Sequence, residues 1–429
     1  MRPRQGVVRR PQFQTALNLG RKHRPDYWLL ILCVILLAVG LVVVYAISPA
    51  LTAAQHVNGN YYVTKQLLAI GLSVVAFAVT ARVPLSWWRQ AYKPLLVAAV
   101  LATLLALVIP VNPAYPAHRW VRLGGLSFQS VELLKFAVLV WLAGFLAGRI
   151  REGSITKVND TLKPLLYALL AIGVVVAGIQ SDLGSTGVVV AMMGTMAFVA
   201  GLPLKRVFQI GGIILIGLIL AISSTPYRRE RLQAYLHPEA NCQGSGYQAC
   251  QALIAVGSGG VIGLGLGSSV QAYGYLPEAA NDSIFAIYAE KFGFIGSVAL
   301  LGVFVAFFAR LKSIAERSED DFARLLVIGV LAWLSVQTLV NVGAMIGLLP
   351  LKGITLPFIS YGGTSVVFTA AAVGLAFQAS QYTSFQVARA ASVGSNDDTP
   401  TDPDFGRRRL RPAAGGGAVP GAVRRVDYR

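Results

Sequence analysis

The chain has 429 residues, of which 55% are hydrophobic and only 13% are charged, and its mean hydropathy is +0.62. This composition excludes an ordinary soluble globular protein, in which about a quarter of the residues are charged. The net charge of +18 would indicate nucleic-acid binding in a soluble chain. Here the basic residues cluster between apolar runs and at both ends, which is typical of membrane topology, so no nucleic-acid partner is predicted.

Ten apolar segments are predicted as membrane spans, because a helix needs about 20 apolar residues to cross a bilayer. They lie at 28–48, 63–82, 93–110, 130–148, 163–179, 184–201, 207–224, 284–309, 324–347 and 364–382. The predicted fold class is therefore an all-α polytopic membrane protein. It has about ten transmembrane helices and a large extracytoplasmic loop between spans seven and eight. Within this loop, the glycine-rich segment 252–268 is predicted to be re-entrant or packed within the long loop, because its flanks do not fit another full crossing.

The distribution of Lys and Arg predicts the orientation of these spans. The N-terminal segment, alternate loops and the C-terminal tail carry most basic residues, and ten spans place them all on the cytoplasmic side. The predicted organisation is a basic cytoplasmic segment at 1–26, a ten-helix membrane domain at 27–385 and a disordered basic cytoplasmic tail at 386–429. Both termini are expected in the cytoplasm, where they would meet anionic lipid or cytoplasmic partners.

Asp282 is the most informative residue of the long outer loop. It lies at the mouth of the eighth span, where a carboxylate is costly and marks a functional site by default. Aspartate is also a good helix N-cap, and Asp282 comes just before the span begins. The sequence therefore leaves two interpretations open, a catalytic carboxylate and a structural cap.

Further polar groups collect on the predicted outer surface. They are Arg119, Glu132, Lys135, Asp182, Arg228, Arg229, Arg231 and Lys352. Arginine suits phosphate oxygens, and a nearby carboxylate could act as a general base on a hydroxyl group. Structural alternatives are also open. The arginine run could hold lipid headgroups, Glu132 and Lys135 could form an ion pair one turn apart, and Asp182 could cap a helix.

The sequence contains no motif for a resident cofactor. Its four histidines are scattered, no His/Cys cluster has the spacing of a metal site, and there is no Walker loop. No cofactor is predicted, and the sequence does not decide whether a divalent cation such as Mg²⁺ or Mn²⁺ takes part. Cys33 is predicted to pack inside the first span. Cys242 and Cys250 share the outer loop and could form a disulfide in an oxidising exterior, with free thiols as the alternative.

Four groups of residues carry a resemblance to a known family. They are NVGAMIGLLPLKG at 341–353 with LPFISYGGTS at 356–365, Arg119-Trp120 with FQSVELLK at 128–135, QSDLG at 180–184, and GSGYQ at 244–248 through Gly267 with LPE at 276–278 through Gly296. Together they resemble the FtsW/RodA/SpoVE family, whose members build the bacterial cell wall. The resemblance covers about residues 25–385 and agrees with the independent count of ten spans.

The resemblance implies a peptidoglycan glycosyltransferase that polymerises lipid II and releases undecaprenyl pyrophosphate. The essential acidic residue of the family corresponds to Asp282. Its implied role is to take the proton from the acceptor sugar hydroxyl as that oxygen attacks the donor anomeric carbon. The arginines and Lys352 would hold the pyrophosphate. Glu132 and Lys135 match a family pair, and Asp182 and Ser360 lie in family motifs and are further candidates for substrate binding.

The segment 349–353 and the long tail resemble the division branch of the family more than the elongation branch. That branch implies a class B penicillin-binding transpeptidase and other divisome membrane proteins as partners, in the cytoplasmic membrane at the septum. Two other functions stay open, a lipid II flippase and a non-catalytic scaffold. A flippase would place polar residues along the middle of the spans, whereas here they collect at the outer surface, which favours the polymerase.

Overall fold

The computed structural model describes residues 24–108, 120–123, 126–223, 233, 235, 242–244 and 246–382. Two short strands, β1 and β2, and eleven helices, α1–α11, lie within this part of the chain. The bounds are α1 Tyr27–Gln55, α2 Tyr61–Arg82, α3 Leu85–Val108, β1 Trp120–Leu123, β2 Leu126–Gln129, α4 Ser130–Arg151, α5 Lys163–Ile172, α6 Leu183–Val199, α7 Leu204–Ser223, α8 Tyr247–Ser258, α9 Ile284–Arg317, α10 Asp321–Met345 and α11 Gly363–Ala379. Helix α5 continues at both ends into π-helical turns, Val158–Leu162 and Gly173–Ile179, and α11 is followed by the 3₁₀ turn Ser380–Tyr382.

Each of the ten predicted spans coincides with a helix, namely α1–α7 and α9–α11. Among the described residues, eight of these helices are long and apolar enough to cross a membrane, counting α5 with its π-helical turns. Helix α6 is shorter, at 17 residues, and α7 has 20 residues. The predicted fold class is confirmed: the protein is an all-α polytopic membrane protein with a long segment between α7 and α9.

Several helices extend beyond the predicted spans, α3 at its start and α9 at its end among them. Helix α3 begins at Leu85 rather than at 93, and its first turns carry Arg89, which pairs with Asp320 at 2.5 Å. Helix α9 has 34 residues and a length of about 51 Å, which exceeds the thickness of the hydrocarbon core. The additional turns are polar, and hydropathy does not reveal a helix that continues beyond the membrane.

Helices α4, α10 and α11 form the centre of the bundle, because most of their residues are buried inside the protein. In helices α2, α3, α5 and α9, most of the apolar residues are not covered by other parts of the protein. Lipid tails are as apolar as these side chains and can therefore cover them. The pair α2 and α11 packs most extensively. A Cβ atom added at Gly374 would lie 2.1 Å from Thr80 Oγ1, so a glycine is required where these two helices meet.

The glycine-rich segment packs against the first turns of α9. Leu264 N donates to Glu290 O at 2.9 Å, and Phe294 N donates to Gly260 O at 2.9 Å. Gly293 interrupts the helical geometry of α9 with φ of 65°. A Cβ atom at Gly263 would lie 2.2 Å from Lys291 O, so the two backbones approach too closely for any side chain. The segment 252–268 thus forms the end of α8 and a loop that is hydrogen-bonded to α9, with Val261 and Ile262 left exposed.

Candidate active site

Asp282 lies in the turn at 278–283 that leads into α9. The helix begins at Ile284 and its N-cap is Ser283, so the capping interpretation of Asp282 is wrong. The turn is held from both sides. Ser283 Oγ donates to Pro277 O at 2.9 Å, and Gln248 Nε2 of α8 donates to Ser283 Oγ at 3.2 Å. Asp282 is therefore available for chemistry at a fixed position.

The carboxyl group of Asp282 is held in an environment that disfavours its charge. Burial, together with the like charge of Glu278, raises the pKa of Asp282 to about 7. Hydrogen bonds from Gln248 and from the backbone act in the opposite sense. Among the described residues, Asp282 Oδ1 has no hydrogen-bond partner. A carboxylate that gains and loses a proton near neutral pH is suited to general base catalysis.

The backbone around Asp282 is tied to the loop at 351–361. Asn341 Nδ2, from α10, donates to Asp282 O at 2.7 Å and to Ile354 O at 2.7 Å. Ser360 Oγ donates to Asn281 O at 2.6 Å, and Tyr361 N donates to Ala280 O at 2.8 Å. These hydrogen bonds link the turn at 278–283 to the loop at 351–361 and fix the position of Asp282 at the start of α9.

Lys352 is brought to the same place. It lines a small cavity together with Asp282, Asn341, Met345 and Gly353. The loop that carries Lys352 also rests on the start of α6, since a Cβ atom at Gly184 would lie 2.8 Å from Lys352 O. The structure thus places the cation of Lys352 and the carboxyl group of Asp282 along one small cavity.

Asp182 caps α6. Its Oδ1 accepts from Ser185 N at 3.0 Å, its Oδ2 accepts from Ser185 Oγ at 2.9 Å, and the residue is buried. The capping role that the sequence left open for Asp182 is therefore the one that the structure shows. A role for Asp182 in substrate binding stays a prediction.

Glu132 and Lys135 form a buried ion pair at the start of α4, with Lys135 Nζ and Glu132 Oε1 2.8 Å apart. Lys135 Nζ also donates to Gln337 Oε1 at 3.2 Å, and Gln337 Nε2 donates to Thr355 O at 2.9 Å. A continuous polar chain therefore runs from α4 through α10 to the loop beside Asp282. Both charges are used inside the protein, which makes the pair a support for the site, and direct substrate binding by either residue stays a prediction.

Four predicted phosphate-binding residues, Arg119, Arg228, Arg229 and Arg231, lie outside the described residues. Ser360 is buried; its hydroxyl donates to Asn281 O and accepts from Leu356 N at 2.7 Å, so it holds the loop in shape. Within the described ranges, no group of three His, Cys, Asp or Glu residues could hold a metal ion. Those ranges do not include the four predicted phosphate-binding arginines.

The large loop is held by a disulfide and by hydrogen bonds to a buried carboxylate. A disulfide joins Cys242 to Cys250, immediately before and within α8. Glu290, a buried carboxylate of α9, accepts from Ser269 Oγ at 2.5 Å and from the backbone N of Val270 at 2.9 Å. The roles of Glu290, Gln248, Gln337 and Asn341 were not predicted from the sequence. Glu290, Gln337 and Asn341 could have been identified as candidates, because each is a polar residue inside a predicted apolar span.

Comparison with known proteins agrees with this geometry. Residues 27–385 match the sequence model of the FtsW/RodA/SpoVE family, described as cell cycle proteins. A relative from Saccharophagus degradans, the probable peptidoglycan glycosyltransferase FtsW, is 40% identical over 83% of this chain and 92% of its own length. Stage V sporulation protein E of Bacillus subtilis is 34% identical over 85% of this chain and 99% of its own length.

Solved structures show the same fold. A chain from a peptidoglycan synthase complex, studied for its coordination of polymerisation and crosslinking, superposes with a TM-score of 0.68 and 27% identity, covering 84% of this chain and 99% of that chain. The rod shape determining protein RodA of Thermus thermophilus gives a TM-score of 0.59 at 28% identity, over 83% of this chain and 96% of its own. On these matches and on its own helices, the chain is a multi-pass membrane protein that belongs to the FtsW/RodA/SpoVE family.

Proposed function

We propose that this protein is a peptidoglycan glycosyltransferase that polymerises lipid II into glycan strands and releases undecaprenyl pyrophosphate. The observation that carries the proposal is Asp282, a carboxyl group with a pKa of about 7 that shares a cavity with Lys352 at the mouth of α9. The relatives named peptidoglycan glycosyltransferase, which align with more than four fifths of this chain, support the same activity.

In this mechanism, Asp282 acts as the general base. Its carboxylate accepts the proton of the acceptor sugar hydroxyl as that oxygen bonds to the anomeric carbon of the donor. The bond between the anomeric carbon and the phosphate oxygen breaks, and its electron pair leaves with undecaprenyl pyrophosphate. The cation of Lys352 and the predicted arginines Arg119, Arg228, Arg229 and Arg231 would stabilise the charge on the leaving pyrophosphate. As written, the reaction needs no resident cofactor.

The placement of buried charge favours polymerisation over transport. Among the described residues, the charged side chains that are fully buried are Glu132 and Lys135 in the first turns of α4, and Glu290 and Lys291 in the first turns of α9. Asp182 lies buried at the start of α6. All of them lie near the end of the bundle that carries Asp282. A transporter of a charged headgroup would need buried charged groups that continue towards the opposite end.

Location and partners extend the proposal. The distribution of basic residues supports a topology with both termini in the cytoplasm and Asp282 on the outer face of the cytoplasmic membrane. The relatives named FtsW support a role at the division septum. The structural match to a complex of polymerisation and crosslinking supports a class B penicillin-binding transpeptidase as partner, with other divisome proteins around it.

The test is lipid II polymerisation by the purified protein together with its cognate transpeptidase. Wild type is compared with Asp282→Asn, which removes the base without changing the size of the side chain. Asp160→Asn is the matched control, because its side chain is exposed and its weak partner Lys157 lies 4.0 Å away. We expect glycan strands from wild type and the control and none from Asp282→Asn. Loss of a base of this kind typically costs about 10²–10⁴ in rate.

The other outcomes separate the alternatives. Equal polymerisation by Asp282→Asn and wild type would remove Asp282 from the chemistry. No polymer from any variant, despite a stable complex, would favour the flippase or the scaffold. Repeating the wild-type reaction with EDTA, and then with Mg²⁺ or Mn²⁺ restored, decides whether a divalent cation takes part.

A further inference from the structure

A second cavity lies at the far end of α9 from Asp282. Its volume is about 310 Å³, within the range of small-molecule binding sites. Its walls come from the start of α1, the last two turns of α9 and the residue that follows α11. The lining residues are Arg24, Pro25, Asp26, Tyr27, Trp28, Arg310, Ser313, Ile314, Arg317 and Ser380. Nothing in the polymerase mechanism uses this cavity.

The cavity is cationic. It contains three arginines and one carboxylate, Asp26, which pairs with Arg310 at 2.5 Å and also caps α1 by accepting from Leu29 N at 3.2 Å. Within the described part of the chain, Arg24 and Arg317 form no ion pair, and Arg310 Nε has no hydrogen-bond partner although it is buried. The formal charge of the lining is therefore +2. Guanidinium groups present paired donors that match the oxygens of a phosphate.

Compensation of helix dipoles does not account for this arrangement. Arg317 lies in the last turn of α9, where a cation is favoured by the helix dipole. Arg24 lies before the start of α1, where the dipole disfavours a cation. Two guanidinium groups from different helix ends that share one cavity instead indicate an anion between them.

The position of the cavity indicates where that anion comes from. Tyr27 and Trp28 line it and remain exposed, with relative accessibilities of 55% and 63%, at the first turn of the apolar helix α1. Tyr and Trp at the end of a membrane span lie at the level of the lipid headgroups. Ile314 adds an apolar contact on the wall. The cavity therefore lies at the depth of phospholipid phosphates.

We propose that this cavity binds the phosphate of an anionic phospholipid such as phosphatidylglycerol. The phosphate would lie between Arg24 and Arg317, and the glycerol of the headgroup would contact Ser313. Zwitterionic lipids carry a positively charged ammonium group, which the same arginines would repel, and their binding is therefore disfavoured. A bound lipid would join the start of α1 to the end of α9, which the pair of Asp26 and Arg310 already links. The proposal is independent of the polymerase activity.

The test is native mass spectrometry of the full-length protein in detergent, titrated with phosphatidylglycerol or with phosphatidylcholine. The test variant is Arg24→Gln/Arg317→Gln. The matched control is Arg82→Gln/Arg324→Gln, which removes two exposed arginines at the same end of the bundle but outside the cavity. Arg24→Lys/Arg317→Lys keeps the charge and tests whether charge alone retains binding. Thermal melting confirms that all variants are folded.

We expect one phosphatidylglycerol to bind wild type and the control with affinities within about twofold. The Gln pair should weaken binding about 25-fold, at about fivefold for each arginine removed, and the Lys pair should weaken it less. Phosphatidylcholine should bind at least tenfold more weakly, and millimolar inorganic phosphate should not displace the lipid. Unchanged affinity in the Gln pair would overturn the proposal. Equal binding of both lipids, or displacement by inorganic phosphate, would do the same.

Discussion

The pKa of Asp282 makes the polymerase activity dependent on pH in a specific range. Burial, with the like charge of Glu278, raises this pKa from 3.8 to about 7. A general base works only when it is deprotonated, so activity should rise with pH through the pKa of Asp282. A carboxyl group with its usual pKa would be fully ionised throughout the neutral range and would give no such rise.

The size of the rise follows from the ionised fraction. With a pKa of about 7, roughly 9% of Asp282 is deprotonated at pH 6 and roughly 91% at pH 8. The value of kcat/KM for lipid II should therefore increase about tenfold between these two pH values. With a pKa of 3.8, the change over the same interval would be less than about 1.1-fold.

Glu278→Gln tests the cause of the shift. Glu278 is exposed, and its negative charge disfavours ionisation of Asp282. Its removal should lower the pKa of Asp282 and move the midpoint of the pH profile towards acid. The displacement should shrink at high salt, because the charge of an exposed group is screened. Glu319→Gln, an exposed glutamate beyond the other end of α9, should leave the midpoint unchanged.

The assay is the initial rate of lipid II polymerisation at subsaturating substrate, measured from pH 5.5 to pH 8.5 with the transpeptidase partner present. A profile that is flat between pH 6 and pH 8 would refute the assignment of Asp282 as a base with a raised pKa. A tenfold rise that is identical in wild type and Glu278→Gln at low salt would refute the contribution of Glu278.

Three further outcomes are expected. In Asp282→Asn, the melting temperature should exceed that of wild type by an amount that grows from pH 4 to pH 7 and is constant above, because the charged form of a group whose pKa is raised destabilises the fold. In Asn341→Ala, two buried carbonyl oxygens lose their donor at about 1–3 kcal/mol each, and displacement of Asp282 should lower kcat by about 10²-fold. Replacement of both Cys242 and Cys250 by Ser should destabilise the loop by about 2.5 kcal/mol, the entropy of closing a loop of eight residues.

Each of these outcomes has its own control. A melting difference for Asp282→Asn that does not change with pH would contradict the raised pKa. Ser335→Ala is the control for Asn341→Ala, since among the described residues its hydroxyl bonds only to Ala332 O of the same helix. Equal rates in both variants would contradict the positioning role of Asn341. Alkylation of Cys242 and Cys250 in freshly prepared, non-reduced protein, detected by mass spectrometry, would contradict the disulfide.

Asp182 illustrates how far the sequence could lead at a single residue. An acidic residue between two apolar segments is compatible with a cap and with a ligand for substrate, and the sequence could not choose between them. The structure shows the cap, because both carboxylate oxygens accept from Ser185. For Asp282 the structure excludes the cap, since Ser283 takes the N-cap position, and the catalytic role stays a prediction.

The ten apolar helices could be predicted from the sequence, because the bilayer requires long apolar runs and each run is recognised from its own residues alone. The exceptional position of Asp282 could be read for the same reason, since a charge at the mouth of such a run is costly. What surrounds Asp282 was decided only by the tertiary structure. Asn341 reaches Asp282 across 59 residues, and Lys135 reaches Gln337 across 202. Such contacts depend on the rotation and depth of each packed helix, and hydropathy along a single segment does not contain that information.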